Sequence, residues 1–170
     1  MKKSRFNIIY FIAVLSVLAV LGFAKASKAS GPATYSMISA SQIASILDEA
    51  KGQRTLVFLY TSWCPYCRKA LPEIADIARD YPGRVVAVSL DKDADTLLRY
   101  VQKNYSDIPY TPYVWDRSDI FAKPLQRFGI KPGNGIPFIA LLDEHGYVYK
   151  QGVLDPSEAK KYIEAEVAAP

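Results

Sequence analysis

The apolar residues follow two spacings that alternate along the chain. Residues 55–60 and 84–90 are short runs of β-branched, aliphatic and aromatic residues, which is typical of strands buried on both faces. Between these runs, apolar residues recur at the spacing of a helix with one buried face, at Ala70, Leu71, Ile74, Ile77 and Ala78. Because a helix joins two strands, the pattern predicts a parallel strand-helix-strand unit.

Shorter elements are predicted on both sides of this unit. Before it, Ser41 is expected to cap a helix that ends near Gly52. Gly146 suits a hairpin turn, and Asp155 followed by Pro156 suits the start of a terminal helix. The remaining elements are a helix over 95–105, a strand over 113–115, a helical segment over 120–128, and strands over 136–142 and 147–151. This order predicts an α/β domain.

Residues 1–26 have the features of a targeting segment. Three basic residues, Lys2, Lys3 and Arg5, precede an uncharged stretch over 6–24, as in a signal peptide or an N-terminal membrane anchor. Cleavage after Ala26 and retention as an anchor both stay open. We therefore expect a periplasmic or other extracytoplasmic protein, either free or anchored to the inner membrane. Residues 27–38 are predicted to be a linker, and residues 39–170 a single domain.

The net charge of the chain comes from its N-terminal segment. The formal charge is +4, with 21 basic and 17 acidic side chains. Four of the basic residues, Lys2, Lys3, Arg5 and Lys25, account for the whole excess. The predicted domain is therefore neutral and offers no basic surface for a phosphate backbone, so we expect no nucleic-acid partner.

The two cysteines of the chain, Cys64 and Cys67, are two residues apart and directly follow the first predicted strand. Two thiols on the first turn of a helix can close into a disulfide, and the helix N-terminus favours a thiolate. A purely structural disulfide over so short a loop would stabilise the fold little. The spacing therefore favours a redox dithiol, with Cys64 as the attacking thiolate and Cys67 as the resolving thiol.

Three separated motifs resemble the thioredoxin superfamily. They are the strand leading into Trp63-Cys64-Pro65-Tyr66-Cys67 with Pro72 inside the following helix, the loop over 128–137, and residues 151–154 before the last helix. The resemblance implies a thioredoxin fold: a central mixed sheet flanked by helices, with a cis proline at Pro137 that faces the dithiol. An added helix and strand within about 93–119, together with the apolar N-terminus, is similar to the TlpA-like branch.

The resemblance also implies partners and contact residues. TlpA-like proteins reduce disulfides of exported proteins, including apocytochrome c, and take electrons from a membrane thiol reductant. The Cys64-Cys67 disulfide is then the redox centre, with no further cofactor or metal. Besides the cysteines, the candidate substrate-binding residues are Trp63, Pro65, Tyr66, Ile136, Pro137 and Gly152. The backbone of Ile136 is expected to pair with an extended segment of the substrate.

Two departures from the family leave the proton acceptor for Cys67 open. Phe58 and Ala70 stand where relatives carry an aspartate and a glutamate. Two other functions also stay open. The protein could oxidise or isomerise disulfides instead of reducing them, or the two cysteines and His145, the only histidine, could bind copper as a metallochaperone does.

Overall fold

The computed structural model describes residues 34–105, 108–133 and 135–167. Strands and helices follow one another in the order β1 (Ser36–Ile38), α1 (Ala40–Glu49), β2 (Thr55–Tyr60), α2 (Pro65–Asp80), β3 (Val85–Ser89), α3 (Ala94–Asn104), β4 (Tyr113–Trp115), α4 (Ala122–Leu125), β5 (Phe138–Leu142), β6 (Val148–Gly152) and α5 (Pro156–Val167). A 3₁₀ turn, Gln126–Phe128, directly continues α4.

The six strands form one mixed sheet in the order β1-β4-β3-β2-β5-β6. Strands β1, β4, β3 and β2 run parallel, while β5 and β6 are antiparallel to their neighbours. The predicted parallel unit formed by β2, α2 and β3 is confirmed. The predicted insertion is also confirmed, since α3 and β4 follow β3 and β4 lies between β1 and β3.

Two sequence-based expectations near the start of the domain are wrong. The last three residues of the predicted linker, Ser36–Ile38, form β1, because they pair with β4, an element distant in sequence. The N-cap of α1 is Ser39 and not Ser41. The Ser39 side chain accepts from the Gln42 N–H and the Gln42 side chain accepts from the Ser39 N–H, which is a capping box. Ser41 instead donates to Asp119 from its N–H and its hydroxyl.

The sheet separates two buried clusters. On one face, which we call the dithiol core, α2, α3 and α5 pack against alternate residues of β2. This core contains Leu56, Phe58, Tyr60, Cys64, Cys67, Ala70, Leu71, Ile74, Ile77, Ala87, Leu97, Val101, Val114, Ile139, Leu141, Ala159 and Ile163. On the other face, which we call the opposite core, α1 and α4 cover Val57 and Leu59 of β2. Every residue of β2 is therefore buried, as its continuous apolar run predicts.

The N-terminal segment lies outside the described residues, so its assignment as signal peptide or anchor stays a prediction. Across the ranges that the structure describes, no helix combines the length and the apolar character needed to cross a membrane.

Candidate active site

The dithiol lies where the central strand β2 turns into α2. Cys64 is the N-cap of α2, Pro65 is its first residue, and Cys67 lies on the first turn. The Cys67 N–H donates to the Cys64 sulfur, with 3.3 Å between N and Sγ. A free N–H group at a helix N-terminus stabilises negative charge on the atom that it contacts. The Cys64 sulfur thus lies at the N-terminus of α2, the position predicted for the attacking thiol.

Cys64 also faces the loop that precedes β5. The Ile136-Pro137 peptide bond is cis, so the predicted cis proline is confirmed. The Cys64 sulfur lies 3.7 Å from the Ile136 carbonyl oxygen, within the range for a thiol that donates to a carbonyl. Two segments more than 70 residues apart in sequence thus meet at the Cys64 sulfur.

The two cysteines differ in environment. Cys64 keeps 4% of its surface exposed, whereas Cys67 has none. Burial, followed by the hydrogen bond to Cys64, raises the pKa of Cys67 to about 12. A thiol with so high a pKa stays protonated near neutral pH and needs help to act as a nucleophile. This difference fits the order in which Cys64 attacks and Cys67 resolves.

Ser62, two residues before Cys64, is held from both sides. Its N–H and hydroxyl donate to the two carboxylate oxygens of Asp91, at 2.8 and 3.0 Å. Its carbonyl accepts from Nε of Arg68 at 2.6 Å. Asp91 is buried and also accepts from the Ser89 hydroxyl at 2.6 Å. These bonds tie the loop before the dithiol to the end of β3 and to the first turns of α2.

The sequence offered little sign of this role for Asp91. The alternation of Asp91, Asp93 and Asp95 is similar to that of a calcium-binding loop, but the glycine and the glutamate that such a loop requires are absent from the sequence here. In the structure Asp93 instead caps α3. The sequence feature that indicates a role for Asp91 is its position directly after a buried strand, where polar side chains often contribute to a functional site.

Arg68 connects the dithiol to the insertion. Its guanidinium lies 4.8 Å from the centre of the Tyr100 ring on α3. The Tyr105 hydroxyl donates to the Arg68 carbonyl oxygen at 3.5 Å. That carbonyl has no helical partner because Pro72, four residues later, lacks an N–H. No pattern in the sequence predicts these contacts from α3 and its C-cap residue to α2.

A groove of about 440 Å³ opens beside the cis proline. It is lined by Tyr66, Lys69, Ala70, Glu73, Ile136, Pro137, Val153, Leu154, Asp155 and Pro156. Three of the candidate substrate-binding residues, Tyr66, Ile136 and Pro137, thus share one surface. Val153 and Leu154, which belong to the motif over 151–154 but are not among the six candidates, form part of the wall.

The other three candidates are not among the residues that line this groove. Trp63 is 64% exposed on the loop next to Cys64, and Pro65 is exposed at the start of α2. Gly152 ends β6 with a φ of +137°, one residue before the groove wall begins at Val153. A substrate role for all six candidates stays a prediction.

The positions of the two missing carboxylates are occupied by apolar side chains. Phe58 is fully buried and stacks on Tyr60, with 5.0 Å between the ring centres. Ala70 lines the groove. Nearby, the hydroxyls of Tyr60, Thr61 and Tyr110 are buried and have no hydrogen-bond partner among the described residues.

The structure places His145 far from the dithiol, which contradicts the copper-binding alternative built on these three residues. The turn that carries His145 lies near the beginning of β2, where the Gly52 N–H donates to the Glu144 carbonyl at 2.7 Å. The cysteines follow the other end of β2. The five-residue strand β5 separates Ile136 from this turn, and such a strand spans about 17 Å.

Comparisons with known proteins identify the family and the fold. The Redoxin family model matches residues 26–166. The thiol:disulfide interchange protein DsbE of Allochromatium vinosum is 32% identical over 114 residues, which are 66% of this chain and 58% of that protein. The TxlA homolog of Synechocystis, also named a thiol:disulfide interchange protein, is 31% identical over 84 residues, or 49% of this chain and 46% of that protein. The chain thus spans about half the length of these curated relatives.

Solved structures show the same fold. A thiol:disulfide interchange protein of the thioredoxin family from Chlorobium tepidum superposes with a TM-score of 0.55 at 18% identity, covering 69% of this chain and 82% of that one. The exposed lipoprotein thioredoxin Etrx1 of Streptococcus pneumoniae superposes with a TM-score of 0.52 at 20% identity, covering 70% and 89%. With the family match over residues 26–166, the chain belongs to the Redoxin family and has the thioredoxin fold.

Proposed function

We propose that this protein is a thiol-disulfide oxidoreductase that reduces disulfides of exported proteins through Cys64 and Cys67. The observation that carries the proposal is the setting of the Cys64 sulfur. It accepts the Cys67 N–H at 3.3 Å and lies 3.7 Å from the carbonyl of Ile136, beside an open groove. The names of the curated relatives, thiol:disulfide interchange proteins, support the same activity.

The reaction proceeds in two exchanges. The Cys64 thiolate attacks a disulfide of the partner, a mixed disulfide forms, and one partner sulfur leaves as a thiolate that takes up a proton. Cys67 then attacks the Cys64 sulfur, the second partner sulfur leaves, and the Cys64-Cys67 disulfide forms. Two electrons pass from the dithiol to the partner. The two protons that the partner sulfurs take up balance the proton that Cys64 releases before the attack and the proton that Cys67 releases as it resolves. A membrane thiol reductant returns the dithiol to its starting state.

The groove supports a protein segment as the substrate. Its apolar wall over Val153 and Leu154 suits an extended apolar segment, and we expect the backbone of Ile136, which also lines the groove, to pair with that segment. The charge pattern of residues 1–26 supports export, so the substrates are proteins outside the cytoplasm. Apocytochrome c is the substrate that the TlpA-like resemblance suggests.

The direction of electron flow follows from the reduction potential of the dithiol. For this two-electron couple, about 30 mV corresponds to about 1.4 kcal/mol. A reductant requires a potential well below that of DsbA, which is about −120 mV. We expect equilibration of the full-length protein with glutathione to give such a low potential. A value near that of DsbA would instead identify an oxidase.

The activity is best tested by trapping. In a Cys67→Ser variant the mixed disulfide cannot be resolved, so partners should stay attached to Cys64 and appear as adducts that a reductant releases. A Cys64→Ser variant, which keeps Cys67 but lacks the attacking thiol, is the matched control and should trap none. A Cys67→Ser protein that turns over as fast as the parent contradicts the proposal. The trapped partners identify the substrate class.

A further inference from the structure

The Arg68 side chain connects the two sides of the dithiol. Arg68 follows Cys67 on α2, and Ser62 lies two residues before Cys64. Nε of Arg68 donates to the Ser62 carbonyl oxygen at 2.6 Å, so this bond spans both cysteines. A hydrogen bond from a charged donor is stronger than one between neutral groups. The loop that carries Cys64 is thereby fastened to the helix that carries Cys67.

The insertion holds the arginine side chain where this bond needs it. The Arg68 guanidinium lies 4.8 Å from the centre of the Tyr100 ring on α3. Tyr105, the C-cap residue of α3, has its ring centre 5.9 Å from that of Tyr100, and its hydroxyl donates to the Arg68 carbonyl oxygen at 3.5 Å. Because a free arginine side chain samples many rotamers, stacking on a ring reduces the entropy that is lost when it bonds to Ser62.

The backbone bonds of the loop carry the position of Ser62 to the cysteines. The Cys64 N–H donates to the Thr61 carbonyl oxygen at 3.3 Å, and the Cys67 N–H donates to the Cys64 sulfur at 3.3 Å. A disulfide forms only over a narrow range of geometry. An intramolecular step is fast when the two reacting groups are held close together beforehand. A loop that moved away from α2 would therefore close the disulfide more slowly.

We propose that Arg68 is a positioning residue for the resolving step and that α3 of the insertion acts on the dithiol through it. The inference rests on the proposed function. In that step the Cys64-Cys67 bond forms, the bond from Cys64 to the partner sulfur breaks, Cys67 loses its proton and the partner sulfur takes one up. Arg68 makes none of these bonds. It keeps the Cys64 loop against α2, and so raises the rate and the equilibrium constant of disulfide closure.

Arg68→Met tests this role, because it removes the donor and keeps a long side chain. The reduced full-length protein is mixed with an aromatic disulfide that releases a coloured thiol at each exchange. Attack by Cys64 depends on the reagent concentration, whereas closure by Cys67 does not, so the two phases can be separated. Closure should slow about tenfold. Attack should keep the parent rate, because Asp91 still holds the loop through Ser62.

The reduction potential is a second readout, which a loss of fold stability alone would not move. Equilibration of Arg68→Met with glutathione should show the equilibrium constant for disulfide closure lowered about tenfold, which corresponds to a potential about 30 mV higher than that of the parent.

Two further variants separate geometry from charge. Arg68→Lys keeps the positive charge, but lysine has no donor at the position of Nε and no planar group to stack on Tyr100. It should slow closure as much as Arg68→Met does. Tyr100→Leu, which removes the ring, should also slow closure. Added to Arg68→Met it should have no further effect, since the ring acts only through the arginine.

The matched control is Arg127→Met. The Arg127 guanidinium lies 4.9 Å from the centre of the Phe128 ring, donates to the Ala44 carbonyl oxygen at 3.1 Å and pairs with Asp48. Phe128 and Ala44 belong to the opposite core. This variant loses the same kinds of contact away from the dithiol, so closure and potential should remain those of the parent.

Four results would overturn the inference: closure at the parent rate in Arg68→Met, closure at the parent rate in Arg68→Lys, equal slowing of attack and closure, or further slowing when Tyr100→Leu is added to Arg68→Met. The proposed function fails separately, if the parent protein does not release two coloured thiols per chain.

Discussion

The two faces of the central sheet are built from different chemistry. The buried residues of the opposite core are aliphatic or phenylalanine, among them Ile43, Leu47, Val57, Leu125 and Phe128, and none carries a side-chain oxygen or sulfur. The dithiol core has a similar aliphatic base but also holds both cysteines and Tyr60, and further tyrosines pack at its margin.

This difference shows how one sheet serves two purposes. Close-packed apolar side chains stabilise a fold because their burial removes apolar surface from water and buries no polar group without a partner. The dithiol core includes polar atoms that burial disfavours, among them the Cys67 thiol and the Tyr60 hydroxyl. Stability should therefore depend more on the opposite core, and reactivity more on the dithiol core. Four substitutions test this division, from the largest expected effect to the smallest.

Cys64→Ser should abolish disulfide reduction, because a serine hydroxyl cannot attack a disulfide to form a mixed disulfide. Insulin reduction by the purified protein measures this loss. The melting temperature of the reduced protein should change little, since serine is close to cysteine in size. Residual activity above that of buffer would contradict the assignment of Cys64 as the attacking thiol.

Leu47→Ala should lower the free energy of unfolding by about 2–5 kcal/mol, because it leaves a cavity at a side chain that is only 1% exposed. Denaturant unfolding measures the loss. The rate at which Cys64 attacks a small disulfide should remain that of the parent under conditions where the variant is folded. A slower attack would show that the two cores are coupled.

Asp91→Asn should cost about 1–3 kcal/mol of unfolding free energy, because an amide cannot accept all the bonds that Ser62 and Ser89 donate. It should also slow attack by Cys64, since the loop before the dithiol loses its anchor. The matched control is Asp116→Asn, since Asp116 accepts similar bonds from Ser118 in an exposed turn. If both variants changed the unfolding free energy and the rate of attack by Cys64 equally, Asp91 would have no special role at the site.

Trp63→Ala should change the unfolding free energy by no more than about 0.5 kcal/mol, because the side chain is 64% exposed. If Trp63 contacts the partner, the KM for a protein disulfide should rise. Tyr147→Ala is the control, with a 60% exposed aromatic in the β5-β6 turn at the other end of the sheet. An equal KM for Trp63→Ala and the parent would show that Trp63 does not contribute to binding of the protein substrate.

Features that depend on neighbouring residues in sequence were the ones predicted well. The order of strands and helices from α1 onward, the hairpin at Gly146 and the start of α5 after Asp155 all follow from local spacing and turn chemistry. The cis bond before Pro137 was expected only because the motif around it resembles the cis-proline loop of the thioredoxin superfamily. The cap of α1 was misplaced by two residues, because Ser39 and Ser41 are both good caps and the choice depended on contacts with Gln42 and Asp119.

The sequence alone determined that a dithiol follows a buried strand and begins a helix, because strand periodicity, helix spacing and the cysteine pair are all local. Only the tertiary structure decided what surrounds those thiols. Asp91 reaches Ser62 across 29 residues, and Cys64 meets Ile136 across 72. Such contacts arise where strand ends meet in the sheet, so the local spacing of residues indicates which residues end a strand but not which of them meet.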